Sequence, residues 1–412
     1  MKILMVNKFF RIVGGSDTYC FALSDALKAA GHEVVFFSMK DSRNLPCDNE
    51  SDFVENIDYN TTNKLKKIKY AVKYIYSLEA KRKIAAVLDR EKPDVVHLNH
   101  IHHQITLSVV EEISKRNIPM VFTLHDVICA CPNYMMLANG HICEKCMDGH
   151  YYHCVSEACV KGSRVKSFLA MVEAYNYKRM GVYNKIDLYI SPTSFYKKKL
   201  TEAHFTNSPI VHMRNLLPMN TQYEVSKDRK DYCLYFGRLS REKGIITLIE
   251  ALSQCRAIPK LLIVGEGELR DEVEKLVISK GLKKQVMLLG YKSGKELKDI
   301  VQGAKCVILP SEWYENGPYA IEEAMACGTP TIVSSNGGLP EAVEDGVTGF
   351  ICEPCNPKDL AKKIDMLYAL DEKQYFKMCK NAVEKAQRDF SAEMYVSNIL
   401  KLYQELIRKH EE

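Results

Sequence analysis

Twice along this chain, short apolar runs alternate with amphipathic stretches, and no other feature restricts the fold as much. KILMVN (2–7), HEVVFFSM (32–39), DVVHLNH (94–100), PMVFTLHD (119–126) and DLYISPTS (187–194) have the length and composition of buried strands. Helical patterns stand between them; the first runs from Ser16 to a stop at Gly31. The rhythm restarts with DYCLYFGRL (231–239), KLLIVGEG (260–267), QVMLLGY (285–291), KCVILPS (305–311) and TPTIVSS (329–335). Continuous apolar runs joined by helices describe parallel strands covered on both faces. The expected fold class is α/β: two Rossmann-like, doubly wound parallel-sheet domains. Residues 1–216 form the first and 228–390 the second, with the boundary in the polar stretch Leu217–Lys230. The last segment, 391–412, reads as a helix. Ligands in such sheets bind beyond the carboxyl ends of the strands, so two facing sheets would line one cleft.

Composition narrows the function. With 46% apolar and 26% charged residues, the chain can build large cores. No apolar run reaches the ~18 residues of a membrane span, and MKILMVNKFF reads as a first strand rather than a signal peptide. A cytoplasmic protein is expected. A net charge of +5 is modest for 412 residues and gives no reason to expect nucleic-acid binding. The basic residues do concentrate in KLKKIKYAVKYIYSLEAKRK (64–83), where Leu65, Ile68, Val72 and Ile75 recur at helical spacing. Two readings stay open: peripheral contact with an anionic membrane at the inner face of the cell membrane, or a packed helix with a solvated basic face.

The second half carries the chemistry. In EWYENGPYAIEEAMACGTP (312–330), Pro318 suits the first helical position, with Asn316 or Gly317 as cap and Gly328 as stop. The expected helix, roughly 318–327, presents free amides at an end that attracts anions. Arg238 and Lys243 lie in the loop after the strand at 231–239, and two cations near a helix start suit a diphosphate. A carboxylate accepts paired hydrogen bonds from vicinal hydroxyls. Glu323 could thus hold a ribose and Glu315 face the sugar or reacting centre. The amides of Gly317, Pro318's neighbour, and Tyr319 could meet phosphates or sugar hydroxyls. The alternative is charged side chains in solvent.

In the first half, Gly14-Gly15 precedes a helix whose cap is expected at Ser16 or Asp17; it is either a plain tight turn or a close approach to an anion. His125, at a strand end, is the histidine best placed to touch a sugar or handle a proton. The other imidazoles, His97 and His102 among them, are expected to be structural or solvent-facing. No Asp-x-Asp triplet occurs, so no catalytic metal is expected. Six of fifteen cysteines, Cys129, Cys131, Cys143, Cys146, Cys154 and Cys159, crowd into an insertion at about 129–160. The Cys143-x2-Cys146 pair with thiols on either side has the spacing of a structural zinc site; free thiols or a redox pair are the alternatives.

The combination GRLSREKG, PSEWYENGPYAIEEAMACGTP and NGGLPEAVEDGVTGFICEP resembles the retaining glycosyltransferases of family four, which have the GT-B fold. VGGS, VVHLNHIHHQ and TLHDVICACPNYMML resemble its bacterial members that assemble surface polysaccharide or lipid-linked glycans. The resemblance implies a UDP- or GDP-type sugar donor bound mainly by the second domain and a glycan or lipid-linked acceptor at the first. It implies Arg238 and Lys243 at the diphosphate, Glu323 at the ribose, and Glu315 with Gly317, Pro318 and Tyr319 near the transferred hexose. Gly15 would approach the donor phosphate, His125 the sugar hydroxyls, and Tyr291 the base. His125 and Glu315 are the expected catalytic groups. The last helix would pack back on the first domain. Cys131, Cys143, Cys146 and Cys159 resemble the cysteine pattern of related bacterial sequences, with Cys154 to spare. Asn316-Gly317 replaces the usual aromatic-Gly step, which leaves the sugar contacts open. The alternatives are a nucleotide-sugar epimerase of similar fold and a zinc-stabilised binding protein without catalysis.

Overall fold

The structure is a computed structural model describing residues 1–57, 63–227 and 229–412, with the side chains of 64–69 also outside the description. The chain divides into two compact units, Met1–Met219 with Ala392–Glu412, and Asn220–Ser391. Asp228, the expected first residue of the second domain, lies outside the described residues.

The first unit carries β1 (Lys2–Val6), β2 (Glu33–Phe37), β3 (Val95–Leu98), β4 (Met120–Thr123), a hairpin of β5 (Leu137–Ala138) and β6 (His141–Ile142), then β7 (Leu188–Ser191) and β8 (Ile210–His212). Its sheet runs β2-β1-β3-β4-β7-β8, and every neighbouring pair is parallel. Ile3, Leu4, Met5 and Val6 are all fully buried, which explains the unbroken apolar run: helices cover both faces. A polar side chain inside such a sheet needs partners. His97 in β3 has two, Thr123 Oγ1 at 2.7 Å and the Tyr403 hydroxyl.

Tyr403 belongs to the helix Ala392–Glu411, which packs on this unit and not on the one that precedes it in sequence. Tyr395 bonds the Tyr19 hydroxyl, and His410 bonds Asp187 at 3.0 Å and the Asn117 carbonyl at 3.1 Å. The expected return of the last helix is thus made by polar ties from three of its residues, Tyr395, Tyr403 and His410.

The second unit holds β9 (Cys233–Phe236), β10 (Leu261–Val264), β11 (Val286–Gly290), β12 (Cys306–Leu309), β13 (Thr331–Ser334) and β14 (Gly349–Cys352). Its order, β11-β10-β9-β12-β13-β14, is again all parallel. Strand order reverses between β9 and β12. Ligands in such sheets bind beyond the carboxyl ends of the strands at that reversal.

Three local expectations are corrected. The helix expected at 318–327 spans Tyr319–Ala326, and Pro318 is its cap, with ψ 122°, because the chain enters extended from Gly317 at φ +65°. The first long helix starts at Gly15 with Gly14 as cap, not at Ser16 or Asp17. The stretch 64–83 is two helices, Lys64–Ile75 and Leu78–Glu91, because Ser77 caps the second by accepting the Ala80 amide at 3.1 Å. The membrane reading of that stretch rests partly on Leu65 and Ile68, whose side chains lie outside the described residues.

Candidate functional site

The loops after β9 and β12 meet at the reversal of the second sheet. One carries Gly237–Gly244, the other Pro310–Pro318. They are tied by backbone, the Glu312 amide donating to the Glu242 carbonyl at 2.8 Å. They are also tied by charge. Lys243 Nζ lies 2.6 Å from Glu315 Oε1, with only 18% and 5% of the two side chains exposed. The same oxygen accepts from Ser311 Oγ at 2.5 Å and Trp313 Nε1 at 2.9 Å, and the ammonium sits 5.1 Å from the Trp313 ring centre. A buried carboxylate with three donors on one oxygen is held in one orientation.

Close backbone approach makes this possible. A Cβ on Gly244 would stand 2.0 Å from the Pro310 carbonyl, and one on Gly337 2.4 Å from the Glu315 amide. Only glycine fits at either place, and both have positive φ. Gly338 then donates to the Glu315 carbonyl at 2.7 Å.

Arg238 stands in the same loop with over half of its side chain exposed. It pairs with Glu242 and bonds Ser240 Oγ at 3.2 Å. Burial pushes the Glu242 carboxyl up, but Ser240, its own amide and Arg238 outweigh this and hold it below the ordinary glutamate range. Glu323, one turn into the helix Tyr319–Ala326, shows the opposite balance. Burial pushes its carboxyl up to about 7, with no opposing charge. Tyr291, just past β11, is 74% exposed. The structure therefore joins Lys243 directly to Glu315, keeps Arg238 on the same loop, and gives Glu323 and Tyr291 no direct tie to that pair among the described contacts.

In the first unit, the loop after β1 is organised by Asp17. Its carboxylate accepts the Val13 and Gly14 amides, each at 3.1 Å, and the Asn7 side-chain amide at 2.9 Å. Gly15 opens the helix directly behind them. His125, after β4, bonds Asn99 Oδ1 at 3.1 Å, and the Tyr19 ring meets it edge-on at 5.0 Å. Burial lowers its imidazole to about 3, so the ring is neutral at physiological pH. Asn99, His125, Asp126, His100 and Cys129 border one small cavity. There His100 bonds Asp126 at 2.9 Å, and that contact, against the effect of burial, keeps the Asp126 carboxyl below its usual range. His97 and His102 are buried and bonded to hydroxyls, which makes them structural.

Sequence reasoning missed Glu242, Ser311 and Trp313, and took Asp17 only as a possible helix cap. Glu242 sits between the two cations in GRLSREKG, and Ser311 and Trp313 stand four and two residues before Glu315. An acid inside a basic loop and donors beside a lone carboxylate were the available signals.

Two doubly wound parallel units, the second with cations and a fixed carboxylate at its switch point, are the architecture of the GT-B class of glycosyltransferases. The family model described as Glycosyltransferase Family 4 matches residues 13–217, and that described as Glycosyl transferases group 1 matches 220–389. The chain belongs to the family-four glycosyltransferases. An uncharacterized glycosyltransferase of Methanocaldococcus jannaschii is 26% identical over 373 residues, 89% of this chain and 88% of that one. N-acetyl-alpha-D-glucosaminyl L-malate synthase of Bacillus anthracis is 24% identical over 417 residues, 99% of this chain and 98% of the relative. Among solved structures, Anabaena HepE in complex with UDP and glucose superposes with a TM-score of 0.69 at 19% identity, covering 98% of this chain and 100% of that one, and so shares the fold.

Proposed function

We propose that this glycosyltransferase moves a hexose, with retention, from a UDP- or GDP-type sugar to a glycan or lipid-linked acceptor in cell-surface polysaccharide assembly. The Lys243–Glu315 pair at the switch point carries the proposal. An ammonium so placed can turn to a diphosphate as it departs, and Glu315 is then free to take a sugar hydroxyl. Arg238 adds a forked donor, and the Gly317 and Tyr319 amides, around Pro318, face the same charge from the helix end. Glu323 accepts the ribose hydroxyls, and Tyr291 stacks near the base. For the first unit we assign Gly15 to a donor phosphate and His125 to a sugar hydroxyl. With Asn99 Oδ1 accepting from Nε2, the assigned tautomer leaves Nδ1 as the acceptor. UDP bound to Anabaena HepE and the glucosaminyl product named for the Bacillus anthracis relative support a nucleotide-sugar donor.

Retention follows if the acceptor hydroxyl attacks on the face the diphosphate leaves, its proton passing to a departing phosphate oxygen. No catalytic metal is assigned, since the sequence lacks an Asp-x-Asp triplet and the cations above meet the phosphate charge. A panel of UDP- and GDP-sugars with glycan acceptors, read by NMR in the presence of chelator, tests this. One donor turned over with its anomeric configuration kept is expected. Inverted product, loss of turnover in chelator that added magnesium or manganese but not zinc restores, or an isomerised donor without acceptor would overturn the proposal.

The same proposal includes peripheral contact of 64–83 with an anionic membrane surface. Val72 and Leu78, 63% and 73% exposed, support it. Lys73 and Lys81 count against it, because Glu79 and Glu111 already hold them at 2.8 Å and 2.6 Å. Among the described residues no helix is long and apolar enough to cross a membrane. Co-sedimentation with anionic liposomes, lost on Leu78→Asp, is the expected result; wild-type protein left in the supernatant contradicts it.

A further inference from the structure

The insertion after β4 is unusual for its backbone. Tyr134, Met136, Asn139, Ala158 and Lys161 all have positive φ, between 48° and 58°. Such residues persist only where the surroundings fix them. The apolar cluster available here is small: Cys146, Tyr151 and Cys154, with Cys159, Val160, Met171 and Ala174 against it.

What the insertion does have is thiols. Cys131, Cys143, Cys146, Cys154 and Cys159 line one small cavity, together with His153. Local structure positions three of them, Cys131, Cys143 and Cys146. Asn139-Gly140, both at positive φ, turn the β5–β6 hairpin, and Cys143 follows it directly, its amide bonded to the Met136 carbonyl at 2.8 Å. The Cys143–Cys146 turn closes with Met147 donating to Glu144 at 3.0 Å and Gly149 to Cys146 at 2.9 Å. The Cys131 sulfur faces the Asn133 and Met136 amides, and the Cys146 sulfur the Cys154 amide.

We infer that the cavity is a structural zinc site, with Cys131, Cys143, Cys146 and Cys159 as ligands. Each thiol gives up its proton to solvent on binding. A disulfide joins two sulfurs, whereas five cysteines line this one cavity. The chain's cysteines are all free. Cys154 is the fifth, hydrogen-bonded to Cys159 and facing the apolar cluster. Among the described residues no such group is set in ligand geometry as it stands, so binding draws the side chains inward across the cavity. The Tyr151 hydroxyl donates to the Cys129 carbonyl at 3.3 Å, so the clamped insertion returns to the chain leaving β4, four residues beyond His125. The inference is independent of the donor assignment.

Metal analysis of the purified full-length protein tests it. About one zinc per chain is expected, lost in Cys143→Ser/Cys146→Ser and kept in Cys154→Ser. Should the double variant fail to fold, wild-type protein titrated with a mercurial in the presence of a zinc dye gives a second readout. Zinc release complete after roughly four thiols have reacted supports the site. Protein made in zinc-supplemented medium that carries no zinc, iron in its place, zinc retained by the double variant, or release not coupled to thiol modification would each overturn it.

Discussion

Replacing Lys243 by Met removes the ammonium while keeping most of the side-chain length, and it separates the structural from the chemical role of this residue. Breaking a fully buried ion pair costs ~3–5 kcal/mol, and an exposed pair contributes at most about 1. Lys243 and Glu315 stand between these limits, at 18% and 5% exposure. Glu315 Oε1 also keeps Ser311 and Trp313 as donors, so its carboxylate is not left bare. The expected loss is therefore about 2 kcal/mol, or about 4–8 °C in melting temperature for a unit of this size. The chemical loss is larger. A donor aimed at charge that develops in the transition state contributes ~100–1,000-fold in kcat. Differential scanning fluorimetry with steady-state transfer kinetics measures both. A Lys243→Met protein that melts a few degrees lower yet turns over like the wild type would refute the reasoning, because the lysine would then only tether Glu315.

Glu323 predicts a pH signature. Its folded value, about 7, lies above the ordinary value of 4.5, so between those limits the folded chain holds a proton that the unfolded chain has lost. Urea stability should fall as pH rises from about 4.5 to about 7 and then level, and Glu323→Gln should remove that component. Gly337→Ala would press a Cβ to 2.4 Å from the Glu315 amide and should lower both stability and kcat. Gly346→Ala, also at positive φ but in open space, should cost about 1–2 kcal/mol and leave kcat unchanged. Tyr403→Phe leaves the buried His97 Nδ1 without its partner, and thermal melting should report a loss of about 1–3 kcal/mol.

The central strands were legible because they are buried on both faces and so read as unbroken apolar runs, as at Ile3–Val6. The edge strands β8 and β14 were not. Ile210–His212 is half-exposed and ends in His, and Gly349–Cys352 begins with Gly, so neither has a core strand's pattern. At the site, Arg238, Lys243 and Glu315 could be chosen from their places after strands. That Lys243 meets Glu315, 72 positions away, depends on strand order, which periodicity does not encode. The caps were misread for a related reason. Asp17 resembles a cap in sequence, but its carboxylate reaches back to the Val13 and Gly14 amides from inside the first turn. Ser77 is a fair local signal for a helix start, but the helical spacing of the apolar residues on either side of it masks the break.

A crystal structure of the protein with UDP or GDP, whichever it binds, tests the central claim most directly. The account predicts both phosphates within hydrogen-bond reach of Lys243 and Arg238, with the Gly317 amide facing the outer one and Lys243 turned from Glu315 toward it. Phosphates seated elsewhere, with the Lys243–Glu315 pair undisturbed, would contradict it.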